Sequence, residues 1–160
     1  MDELLTISQL KIEKAKEEDW KSILQLLEET DLTFWFTGNE NHNNFYVVKE
    51  PQINKIICCF SIEYENDIGV LKSFAIPKEL QGRGIGKYIA NKTPELCKAL
   101  GVKKLYAASM EAPSFWVKTV FKEIKYDQIN DEYFLKYLNN YCHRVPDYFN
   151  KTHYFMTLID

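Results

Sequence analysis

The segment LQGRGIGKYIA (Leu80–Ala90) places Gly82, Gly84 and Gly86 at alternate positions just ahead of an apolar, helix-length stretch. Residues without a Cβ between a strand and a helix let backbone N–H groups converge on an anion, and the positive end of the helix dipole favours the negative charge. The chemistry this spacing suggests is phosphate binding by main chain. A P-loop would require Gly-x-x-x-x-Gly-Lys-Ser/Thr. Counting back from Gly86-Lys87 finds Gln81 where its first Gly belongs, and Tyr88 where the magnesium-binding hydroxyl belongs. A dinucleotide fingerprint, Gly-x-Gly-x-x-Gly, would need a small residue at Lys87 or at Ile89, depending on its starting glycine. Both patterns fail. A third, Gln/Arg-x-x-Gly-x-Gly/Ala, is met at every position by Gln81 to Gly86.

The elements that must hold this loop follow from hydrophobic periodicity and turn chemistry. The alternating stretch Lys11 to Lys16 reads as a short edge strand. Asp19 is expected to cap a helix whose core stripe is Trp20, Ile23, Leu24 and Leu27. A polar loop, Thr37 to Asn44, leads into FYVVKE, and a turn over Glu50 to Asn54 returns the chain through KIICCFSIEYE as a hairpin. Asn66-Asp67 turns it again into GVLKSFAIP, a strand ended by Pro77, which cannot donate to a ladder. The helix after the glycines runs to Leu100 with Gly101 as its C-terminal cap, and Tyr88, Ile89, Leu96 and Leu100 are expected to pack it on the sheet. Pro94 removes a helical donor inside it, which predicts a kink or break at Asn91 to Thr93, with Thr93 capping a restart. KKLYAAS is a further strand, Phe115-Trp116-Val117-Lys118 opens another helix, and Phe134, Tyr137, Leu138 and Tyr141 share helical spacing.

Composition bounds the rest. At 160 residues with 46% hydrophobic and 27% charged side chains, the chain is expected to fold as one domain spanning 1–160. A net charge of −3 supplies no field for a phosphate backbone, so nucleic acid is not expected as a partner. An acidic N-terminus and the lack of a long apolar run argue against a leader or a membrane span and for a cytoplasmic location. Cys58, Cys59, Cys97 and Cys142 form no Cys-x-x-Cys pair and read as buried free thiols; no metal site is expected.

The Gln81–Gly86 segment resembles the acetyl-CoA pyrophosphate loop of the GCN5-related N-acetyltransferase (GNAT) superfamily. Its surroundings match in order: Phe74-Ala75-Ile76-Pro77 ending a strand, the loop, a helix ending at Leu100-Gly101-Val102, a strand from Lys104 to Ala108, and Phe115-Trp116. Glu63, the Leu71–Ile76 segment and Arg144-Val145-Pro146 before a closing strand at Tyr154 to Leu158 are similar to the amino-acid-acetylating branch.

The resemblance implies an α/β (α+β) fold: a mixed, mostly antiparallel sheet of roughly six to seven strands with a splayed parallel pair, and helices on both faces. It implies acetyl-CoA as cosubstrate, held by strand-like pairing of backbone at Phe74, Ala75 and Ile76 and by the loop Gln81, Gly82, Arg83, Gly84, Ile85, Gly86 and Lys87. Glu63 is implied as the catalytic group that relays the ammonium proton, and the Ile76 N–H as the oxyanion donor. Lys72 is implied as a partner for a substrate carboxylate, and Phe34, Trp35 and Phe36 as acceptor-pocket residues. The partner is a small-molecule amine, and a homodimer through sheet edges is the superfamily expectation.

One departure stands out. Many members carry Phe-Tyr where this chain has Phe115-Trp116, and an indole N–H is a donor but no proton source. Departure of the thiolate then falls to water, Ser114 or Tyr126. The alternatives to a small-amine acetyltransferase are an acyl-CoA-binding module without catalysis and a protein or peptide N-acetyltransferase.

Overall fold

The computed structural model describes residues 6–33, 40–110 and 112–160. Its seven strands form one sheet: β1 (Ile12–Lys14), β2 (Phe45–Lys49), β3 (Ile56–Glu65), β4 (Ile68–Ala75), β5 (Lys104–Ser109), β6 (Lys122–Ile124) and β7 (His153–Leu158), in the order β1-β2-β3-β4-β5-β7-β6. Neighbours β1–β2, β2–β3, β5–β7 and β6–β7 pair antiparallel, and β4–β5 pair parallel. The mixed sheet with one parallel pair is the expected fold. Two compact units are distinguished, Met1–Ser61 with Ser73–Ile89, and Ile62–Lys72 with Ala90–Asp160.

The first unit is organised by helix α1 (Trp20–Glu29), whose Ile23, Leu26 and Leu27 are buried with Phe45, Val47, Ile56, Cys59 and Ala75. Each fully buried Leu or Ile contributes about 1.5–3 kcal/mol. Leu26 therefore replaces the predicted Leu24, which is only half-buried, as a core residue. Asp19 does not cap α1. Its carboxylate accepts the Lys16 N–H (2.9 Å) and pairs with Lys49 (3.0 Å), because the turn over Glu17–Asp19 brings it back toward Lys16 before the helix starts. The β2–β3 turn is held by Glu50, only 2% exposed, whose carboxylate accepts the N–H groups of Gln52 and Ile53 at 3.1 and 2.9 Å.

Helix α2 (Ile85–Leu100) is continuous, so the expected break does not occur. Pro94 deprives the Ala90 carbonyl of its helical donor, and the Thr93 hydroxyl supplies a replacement, donating to Ala90 O at 2.8 Å. Thr93 thus sustains the helix rather than capping a new one. The buried positions are Ile85, Gly86, Ile89, Ala90, Thr93 and Cys97, whereas the predicted Tyr88, Leu96 and Leu100 are half-buried. Gly101 ends the helix at φ 78°, with Gly101 N–H and Val102 N–H returning to Lys98 O and Cys97 O.

In the second unit, α3 (Pro113–Trp116) is a single turn that starts two residues before Phe115, the expected opening of this helix, and ends at Trp116. The Thr119 hydroxyl donates to Trp116 O at 2.6 Å and Asn91 accepts the Val120 N–H at 2.8 Å, turning the chain so that buried Phe121 meets the Trp116 ring at 5.2 Å. Helix α4 (Glu132–Cys142) buries Phe134, Leu138 and Tyr141, and a short α5 (Tyr148–Lys151) precedes β7. No described helix is long and apolar enough to cross a membrane.

Candidate active site

The glycine loop begins where β4 ends. After Ile76 and Pro77 comes a turn over Lys78–Leu80, and then Gln81 donates its side-chain amide to Ile76 O at 2.9 Å. That bond ties the loop to the strand end and gives the Gln81 side chain a positioning role. Gly82 and Gly84 both have left-handed backbones, φ 80° and 87°. A side chain there would cost about 1–2 kcal/mol in backbone strain alone.

Among the described residues, a Cβ at Gly82 would meet nothing within 4 Å, and one at Gly84 only Ile7 Cδ1 at 3.7 Å, so it is the left-handed backbone and not crowding by those residues that calls for glycine here. Gly84 O accepts the Tyr88 N–H at 3.1 Å, which starts α2 and leaves the N–H groups of Ile85, Gly86 and Lys87 without intrahelical acceptors. Gly86 lies buried in that first turn, and Arg83 and Lys87 are exposed beside it. Left-handed glycines, the N–H donors of a helix's first turn and two exposed basic side chains fit a diphosphate.

Upstream of the loop, β4 carries a feature that sequence reading missed. Ser73 is a non-glycine residue at φ 56° inside the strand, buried, with a hydroxyl that has no hydrogen-bond partner among the described residues. A serine amid β-formers gives no sequence signal of a left-handed backbone. The registered β4–β5 pairs are Ile68–Val70 with Lys104–Tyr106, and β4 continues to Ala75 and β5 to Ser109 beyond them.

In the second unit, Glu63 on β3 and Lys72 on β4 form an ion pair. The Lys72 side chain is only 6% exposed, while that of Glu63 is 34% exposed, so the carboxylate forms the solvent side of the pair. The Lys72 ammonium also donates to the Tyr141 hydroxyl at 3.4 Å and faces the rings of Tyr137 and Tyr141 at 5.9 and 5.7 Å. Burial opposes its charge, but the Glu63 carboxylate and the Tyr141 hydroxyl outweigh that, and its pKa lies above the usual lysine value. Lys72 is a buried cation, not a surface lysine. The Arg144 guanidinium also lies over the Tyr141 ring, 5.2 Å from its centroid. The helical spacing of Tyr137 and Tyr141 was the visible signal for this cradle; their contact with Lys72 had none.

Trp116 is buried among Phe115, Phe121 and Phe155, which makes it a core residue. Ser114 is exposed, and Tyr126 packs its ring on Phe149 and Tyr154 while remaining 40% exposed. Phe34, Trp35 and Phe36 lie outside the described residues.

The pattern that defines the acetyltransferase (GNAT) family matches residues 10–118, and the chain belongs to that family. That family is one of acetyltransferases. No protein of curated function matches the sequence. Among solved structures, the fold is similar to N-acetylglutamate synthase from Neisseria gonorrhoeae, complexed with coenzyme A and N-acetyl-glutamate, at TM-score 0.73 and 17% identity over 94% of this chain. The chain spans 35% of the length of that synthase. It is also similar to Rv2747 from Mycobacterium tuberculosis, solved in complex with CoA (TM-score 0.70, 17% identity, 94% of this chain and 99% of that one). The PaiA N-acetyltransferase of Thermoplasma acidophilum, in complex with coenzyme A, matches at TM-score 0.63 and 12% identity over 94% of this chain and 99% of its own.

Proposed function

We propose that this chain, acting as a single catalytic domain, acetylates the amine of a small molecule that also carries a carboxylate, with an amino acid as the leading candidate. The observation that carries this reading is the buried Lys72 ammonium with the partly solvated Glu63 carboxylate in front of it. A zwitterionic acceptor can exchange with such a pair, giving its carboxylate to Lys72 and its ammonium to Glu63. A plain amine has nothing to offer a buried cation.

Acetyl-CoA supplies an activated thioester carbonyl when bound. The backbone of Phe74, Ala75 and Ile76 would pair with the amides of its arm, and the N–H groups from Gly82 to Lys87 would hold its diphosphate. Glu63 would take a proton from the acceptor's ammonium, directly or through water, freeing the neutral amine to attack the thioester carbonyl. The Ile76 N–H would stabilise charge developing on the carbonyl oxygen. With Trp116 in the core, the thiolate would leave protonated by water.

The test is release of free CoA thiol with a panel of amino acids, their amides and simple amines. The reading predicts turnover of amino acids at least tenfold above their amides. Binding of acetyl-CoA without thiol release from any amine would instead favour a non-catalytic module, and faster turnover of peptides would favour a protein acetyltransferase.

A further inference from the structure

The Tyr137 and Tyr141 rings that face Lys72 belong to α4, and the other end of that helix is pinned in an unusual way. Asp131, the residue before α4, accepts a hydrogen bond from the hydroxyl of Tyr106 on β5 and pairs with Lys104 at 3.0 Å. Tyr106 is 2% exposed, so its hydroxyl has little access to water as a substitute acceptor. Its ring stacks on Phe134 at 4.2 Å with an interplanar angle of 13°. The contacts continue along the helix, Phe134 to Tyr137 at 6.0 Å and Tyr137 to Tyr141 at 4.8 Å. They end on the Lys72 ammonium.

We infer that Asp131 is a positioning residue for the Lys72–Glu63 pair, acting through Tyr106 and the aromatic face of α4; its bearing on catalysis rests on the assignment of that pair to the acceptor. The physical reason is geometric. A helix lying on a sheet can rotate about its axis or slide along it, and the Tyr106–Phe134 stack alone resists neither strongly, because stacked rings slip at little cost. The directional bond from Tyr106 to Asp131, with the Lys104 charge beside it, fixes both freedoms at the N-terminal end. Rotation of α4 would carry Tyr137 and Tyr141 away from Lys72 together.

The test measures Lys72 directly. Folded protein is treated with the acetyl ester of N-hydroxysuccinimide, and modification of each lysine is followed by peptide mass spectrometry. Lys72 is expected to be among the slowest lysines of the wild type. In Asp131→Ala its rate rises about tenfold while that of Lys92 is unchanged, and in Asp131→Asn, which still accepts from Tyr106, it rises less. The acceptor KM rises in the same order with the acetyl-CoA KM unaltered. A folded Asp131→Ala whose Lys72 is labelled as slowly as in the wild type overturns the inference. Should that variant not fold, Tyr106→Phe keeps the stacked ring, removes only the hydroxyl, and is held to the same outcome. Because the labelling needs no turnover, a chain that acetylates no amine refutes the proposed function and leaves this result to stand or fall separately.

Discussion

At the scale of single residues, the most informative arrangement is a cation kept inside the protein by one carboxylate. Glu63→Gln removes that carboxylate and strands Lys72, a change expected to destabilise by roughly 3 kcal/mol, the low end for a buried pair because Glu63 is partly hydrated. The folded pKa of Lys72 is raised, so the stabilisation is fully present below the unfolded lysine value of about 10.4 and is lost as pH rises through the folded value. Urea unfolding of the wild type and Glu63→Gln should give a stability gap that is widest near neutral pH and narrows as pH rises through the lysine range, because Lys72 without its carboxylate loses its proton more readily. A gap independent of pH across that range would remove Lys72 as its source. The cysteines provide a second residue-scale check. Burial pushes the thiols of Cys58 and Cys59 far up and that of Cys97 to about 12, whereas Cys142 is half-buried near the end of α4. Ellman's reagent should find one fast thiol in the native protein, at Cys142, and the other three only on unfolding; fast labelling of Cys97 would contradict the burial of α2.

At the scale of elements, α2 makes a prediction about two adjacent residues. If Thr93 satisfies the carbonyl that Pro94 orphans, Thr93→Val should cost about 1–2 kcal/mol in denaturant unfolding. The same change in a Pro94→Ala background should cost much less, since an alanine at that position restores the N–H. Additive losses in that double-mutant cycle would deny the coupling. This is also where sequence reading reached its limit. Proline chemistry correctly located the missing hydrogen bond, but the remedy depended on a threonine rotamer, which the sequence leaves open. The hairpin turns, Gly101 and the order of strands around the glycine loop were legible, because turn residues and two-residue alternation act locally. The α1 stripe was displaced to include Leu26, and the helix expected to open at Phe115-Trp116 instead ends at Trp116, because tertiary packing, such as Phe121 against Trp116, decides such boundaries. At the site, Gly82 and Gly84 could be recognised from spacing, whereas the left-handed Ser73 and the burial of Lys72 arise from packing across strands.

At the scale of the whole molecule, the chain places its glycine loop in one compact unit and its buried ion pair in the other, with β3, β4 and α2 each contributing residues to both. The outer strands of the sheet are β1 and β6. A homodimer built by edge pairing would use one of them, and light scattering that gives a monomer mass at working concentration would dismiss that arrangement. The account as a whole depends on main-chain N–H groups at the start of α2 holding the diphosphate of the cosubstrate, at a loop that carries two left-handed glycines. Calorimetric titration of the wild type and Gly84→Val with CoA tests this most directly. The account predicts saturable binding by the wild type, and an affinity at least tenfold lower in a variant that remains folded. Absence of binding by the wild type, or equal affinity in both, would contradict it.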